Sequence, residues 1–80
     1  MEETVKELVE LIVKSLVDHP EEVSVTEAIK DNEHVLSVSV ASDDMGKVIG
    51  KQGRIAKAIR TVVKAAAIKS DIQVSVEIMQ

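Results

Sequence analysis

Eighty residues are the length of one small domain, residues 1–80, which buries only about 60% of the surface its unfolded chain exposes. With no Cys, Phe, Trp or Tyr, the chain has neither disulfides nor thiolate metal sites, and it lacks the rings on which many single-strand binders stack bases. No apolar run approaches the roughly 18 residues that read as a membrane span, and Met1-Glu2-Glu3 carries the wrong charge for a secretory signal, so the chain reads as soluble and cytoplasmic.

From Thr4 to Asp18, apolar residues recur at helical spacing: Val5, Leu8, Val9, Ile12, Val13 and Leu16. Glu7, Glu10 and Lys14 fall elsewhere on the wheel, which predicts an amphipathic helix. His19-Pro20 ends it, because a residue before proline is pushed out of the helical region. Two period-two segments follow. Val23, Val25 and Ile29 form one, and Leu36, Val38 and Val40 the other, with Asp31-Asn32-Glu33 as the turn between them. Ser42 or Asp43 is placed to cap a short helix running to about Ile49. After a break bounded by glycines, a longer helix is predicted from Arg54 to Lys69, with Ile55, Ile59, Val62, Val63 and Ala66 as its apolar face. Ile72, Val74, Val76 and Ile78 make a third strand. The order is α-β-β-α-α-β, an α+β chain whose three-stranded sheet has one buried and one wet face, with the helices packed on the buried one.

The net charge of −4, taken as a bulk number, argues against a polyanion partner. Its distribution argues for one. From Met45 to Ser70 the charged residues are Lys47, Lys51, Arg54, Lys57, Arg60, Lys64 and Lys69, all positive, and the other segments hold all fourteen acids. A local basic face is what a polyanion meets, since charges beyond about 8 Å are largely screened at physiological salt. Solvated helices usually mix signs for i,i+4 support, so seven cations without an acid are more than a solvated face. Lys69 alone reads as a plain surface residue.

The segment Lys47-Val48-Ile49-Gly50-Lys51-Gln52-Gly53-Arg54-Ile55 carries the candidate chemistry. Two glycines three apart let the backbone turn tightly and approach a ligand. The loop leads into a helix N-terminus, where unpaired N–H groups favour an anion. Lys51 at the tip and Arg54 behind it add charge, and Lys57 and Arg60 continue it along the helix. Val48, Ile49 and Ile55 flank the loop as an aliphatic surface for unstacked bases, although each is more safely read as core. The parts suit a phosphodiester backbone. A lone GxxG is a weak signal, and its setting between two helices in a basic segment is what strengthens it.

Gly46-Lys47-Val48-Ile49-Gly50-Lys51-Gln52-Gly53-Arg54-Ile55 resembles the KH signature, in which a GxxG loop joins two helices. The element order resembles the type II KH arrangement. More narrowly, the whole chain is similar to the small bacterial single-KH proteins of the KhpA family, including His19-Pro20-Glu21-Glu22 and Lys64-Ala65-Ala66-Ala67. That resemblance implies binding of short single-stranded RNA. It also implies a homodimer or a heterodimer with a larger KhpB (Jag) partner, and roles in RNA-chaperone activity, post-transcriptional regulation and cell-wall or cell-shape control.

His19 and His34 have no carboxylate or cysteine at ligand spacing in the sequence, so no metal is predicted; no cofactor is predicted either. Met45 reads as a packing residue. The loop lacks the four-residue spacing and following Lys-Ser/Thr of a nucleotide-binding P-loop, and no nucleophile–base pair accompanies it, so no enzyme activity is predicted. The alternative to an RNA-binding module is an interaction subunit whose fold mainly pairs with another chain.

Overall fold

The computed structural model describes residues 4–79; Met1, Glu2 and Glu3, read above for their charge, lie outside that range, as does Gln80. Helix α1 spans Val5–Leu16, strands β1 and β2 span Ser24–Lys30 and Glu33–Ser39, helices α2 and α3 span Met45–Ile49 and Arg54–Lys69, and β3 spans Gln73–Met79. The predicted α-β-β-α-α-β order is the observed one, and the fold class is α+β.

Three boundaries have local causes. Thr4 caps α1: its hydroxyl accepts the Glu7 amide at 3.1 Å and donates to the Glu7 carboxylate at 3.2 Å, a capping-box variant. Asp31 and Asn32 both have positive φ (51° and 69°), the two-residue hairpin turn that suits the right-handed twist of the flanking strands. Helix α3 ends in a Schellman motif. Asp71 takes the left-handed position at φ 59°, the Ile72 amide donates to Ala67 O at 3.0 Å, and the Asp71 amide donates to Ile68 O at 3.1 Å.

The sheet order is β1-β2-β3, antiparallel between β1 and β2 and parallel between β2 and β3. Parallel neighbours need a crossover, and α2, the glycine loop and α3 provide it. The core gathers Val9 and Val13 of α1, Val25, Leu36, Val38 and Val76 of the sheet, Val40, Met45 and Val48 around α2, and Ile59 and Val63 of α3.

Several details depart from the sequence expectation: α1 ends at Leu16, Glu33 opens β2 and is not in the turn, and Val23, Val40 and Ile72 lie just outside the strands. Val62 is 48% exposed, and the buried stripe of α3 is Ala56, Ile59, Val63 and Ala67. The helix approaches the rest of the fold on its small alanines, which rotates Val62 outward. Ile29 is 67% exposed, because the helical layer covers the Val25 end of β1 and stops short of the hairpin tip. Neither Ser42 nor Asp43 caps α2: Ser42–Asp44 form a 3-10 turn with no side-chain cap.

Candidate nucleic-acid interface

The side chain at the start of α2 is used for another purpose. Asp44 is fully buried, and its carboxylate accepts the backbone amides of Asp18 at 3.1 Å and His19 at 3.0 Å. Lys47, one turn along, donates to the Asp18 carboxylate at 2.7 Å and lies 3.5 Å from Asp44 Oδ1. Burial pushes the Asp44 carboxyl up, but the two amides and the charges of His19 and Lys47 outweigh it, so it sits below the ordinary value of 3.8. The bond to Asp18, reinforced by both acids, outweighs the desolvation of Lys47 and raises its ammonium above 10.5. This network ties the exit of α1 to the helix that presents the loop.

The loop is built by its backbone angles. Gly50 has φ 76° and ψ 174°, a region essentially closed to other residues. A Cβ there would lie 2.6 Å from Ile55 Cγ1 and 2.9 Å from its Cβ, so the first glycine is required by space as well as by angle. Lys51–Gly53 form a tight 3-10 turn, in which Gln52 is left-handed at φ 59°, ψ 26°, and Gly53 follows at φ 73°, ψ 15°. A Cβ at Gly53 would meet nothing within 4 Å. Lys51 and Gln52 are exposed at the tip, and Arg54 opens α3.

The predicted contact residues separate into groups. Lys51, Gln52, Arg54 and Lys57 are exposed, and Ile49 at 36% and the half-buried Ile55 flank the loop. Arg60 lies on the β3 side of α3, where its Nε donates to Val76 O at 3.3 Å. Lys47 is turned toward Asp18 and Asp44. Val48 is fully buried, so it supports the loop from beneath and offers a ligand no surface.

Both histidines have nearby carboxylates, which corrects the sequence expectation on spacing. His34 Nδ1 lies 2.7 Å from Glu27 Oε2 across the hairpin, and His19, Glu21 and Glu22 bring ligand-type atoms within 4.8 Å of one another. These sites lie on β1–β2 and on the surface turn after α1, away from the glycine loop. No helix among the described residues is long and apolar enough to cross a membrane.

A family model described as KhpA/KhpB, KH domain, matches residues 6–78. The chain belongs to the KhpA/KhpB KH-domain family. It is 65% identical over 74 residues to the RNA-binding protein KhpA of Clostridium perfringens, covering 92% of this chain and 99% of that one. It is 52% identical over 75 residues to the RNA-binding protein KhpA of Listeria monocytogenes, covering 94% and 99%. Among solved structures, Era in complex with MgGDPNP and nucleotides 1506–1542 of 16S ribosomal RNA superposes with a TM-score of 0.63 at 20% identity, over 92% of this chain and 28% of that one. That likeness is one of fold.

Proposed function

We propose that this KH domain binds short single-stranded RNA, with the Gly50–Gly53 loop holding the phosphate backbone and the aliphatic surface beside it holding bases. The observation that carries the proposal is the loop geometry. Gly50 has no room for a side chain, and Lys51 and Gln52 stand exposed at the tip. The positive end of the α3 dipole, with Lys51, Arg54 and Lys57 close by, forms an anion site that needs no aromatic ring. The relatives named RNA-binding protein KhpA support the RNA assignment. An RNA-chaperone or post-transcriptional role in the cytoplasm, with an effect on cell shape or cell wall, belongs to the same proposal, as does a binding role rather than catalysis.

The test is fluorescence anisotropy with an unstructured oligoribonucleotide, using the double variant Lys51→Asp, Gln52→Asp. Asp tolerates the left-handed backbone at position 52, so circular dichroism and the thermal midpoint stay those of the parent. Two carboxylates facing phosphate abolish binding. Parent-like affinity in this variant would remove the loop from the proposal.

A second reading is pairing, with another copy or with a KhpB-like chain. It is favoured by large apolar residues left exposed, Leu11 at 58% and Ile29 at 67%. Two linked modules of about four nucleotides each would gain effective concentration without new contacts. Sedimentation at micromolar concentration, alone and with the partner, tests it; a strict monomer in both runs rejects it.

A further inference from the structure

The glycine loop has a basic side chain on its α2 flank that the free domain already uses. Lys47 stands three residues before Gly50. The Gly50 amide donates to Gly46 O at 2.9 Å, so the helix stays wound up to the loop. At about 1.5 Å per residue, Lys47 lies about 4.5 Å from Gly50 along the helix axis, a distance its flexible four-carbon stem spans. Its ammonium is nevertheless 2.7 Å from Asp18 Oδ2 and 3.5 Å from Asp44 Oδ1. Among the described residues, no other lysine or arginine pairs with a carboxylate.

The two acids hold Lys47 differently. Asp44 is buried, and its two oxygens accept the Asp18 and His19 amides, so it keeps hydrogen-bond partners when Lys47 swings away. The Asp18 side chain is 70% exposed and that of Lys47 44%, and exposed pairs of this kind are weak. A phosphodiester at the loop offers Lys47 an equivalent charge-assisted bond. We infer that Asp18 is a built-in rival of the RNA phosphate: it occupies Lys47 in the free domain, and the strand gains Lys47 as a further phosphate contact on the α2 side of the loop only by displacing it. The inference rests on the RNA-binding reading above and adds to it an acidic residue that sets the affinity. Two effects of Asp18 act in one direction. Its carboxylate takes up one cation of the basic segment, and its own charge repels a phosphate approaching along α2. Only side chains exchange partners, since the Asp18 amide stays on Asp44.

The experiment measures binding of a labelled, unstructured oligoribonucleotide to the full chain at low and high salt, for the parent, Asp18→Asn, Lys47→Ala and the two combined. Glu77→Gln, on the exposed face of β3, controls for net charge, and Asp18→Ser repeats the test without an amide. Asp18→Asn and Asp18→Ser are expected to tighten binding about 3-fold at low salt, the scale of one exposed ion pair, and to lose most of that gain at high salt. Glu77→Gln is expected to tighten it much less. Lys47→Ala is expected to cost more in the Asp18→Asn background than in the parent, because only there is Lys47 free for phosphate. Parent-like or weaker binding by the folded Asp18 variants overturns the inference. So does an equal gain in Glu77→Gln, or an equal cost of Lys47→Ala in both backgrounds. Failure of the folded parent to bind the oligonucleotide would instead reject RNA binding itself.

Discussion

The Asp44 carboxylate bonds the backbone amide of His19, twenty-five residues earlier in the chain, at 3.0 Å. With the Asp18 amide on its other oxygen, one buried side chain closes the α1 exit onto the helix that carries the loop. Two amides that would be orphaned where α1 stops are satisfied, and the charge is held in place without leaving the core.

The sign of the acid response follows. The Asp44 carboxyl lies below its ordinary 3.8 in the folded state, so below that value the unfolded chain binds more protons than the native one. The contribution is fully present above pH 3.8 and is lost as pH falls through the lower folded value. Asp44→Asn keeps the size but removes the charge and faces an amide N–H with a donor. It is expected to lower the thermal midpoint at neutral pH and to flatten the fall below pH 3.8. Far-UV circular dichroism melts of parent and variant across that range check both; parallel curves would show that Asp44 does not contribute to the acid limb.

The two loop glycines are unequal. Gly50→Ala meets Ile55 and occupies backbone space reserved for glycine, so it is expected to cost more than about 2 kcal/mol. Gly53→Ala meets open space and only a left-handed backbone, so about 1 kcal/mol is expected, and less for Gly53→Asn. Urea unfolding of the three variants measures the order, and equal losses would contradict it.

Neighbouring valines on α3 behave differently. Val63 is 1% exposed and Val62 is 48% exposed. Val63→Ala is expected to cost about 2 kcal/mol through lost burial and the residual cavity, and Val62→Lys to change stability by less than about 0.5 kcal/mol. The same urea titration reads both.

Binding of RNA is expected to weaken with salt. If three or four phosphates are neutralised, log K falls against log salt with a slope of about −2 to −3, near −0.7 per contact on single strands. Anisotropy titrations across a salt series give the slope, and a flat response removes the electrostatic share of binding. A competition with duplex RNA of equal length completes the test: the single strand is expected to win, since its bases are splayed and its backbone flexible.

The element order, the hairpin turn, the extent of α3 and the position of the glycine loop were all legible in the sequence, because period and turn chemistry are local signals. What escaped was tertiary. Val62 and Val63 are equally apolar, and only the approach of α3 on Ala56 and Ala67 distinguishes them. Lys47 belongs to the basic segment by position, yet its partner Asp18 lies twenty-nine residues away. Asp44 stands among other acids before a helix, and nothing local marks it as buried. The available hint was an acid at that point together with a chain that leaves its helix before His19-Pro20, where the following amides need acceptors outside the helix.

The parallel pairing of β2 with β3 also sets an order of events during synthesis. Glu33 pairs with Gln73, so the register cannot close until the intervening crossover has been made. At about 5–20 residues per second, the ribosome needs roughly 2–8 s to go from the end of β2 to the end of β3. Through that interval the β1–β2 hairpin can form, but one side of β2 has no neighbouring strand, and Leu36 and Val38 have not yet been covered by α3. Such an edge invites pairing with other nascent chains. The nascent domain is therefore most prone to aggregation before β3 emerges, and a truncation within β3 would prolong that state indefinitely.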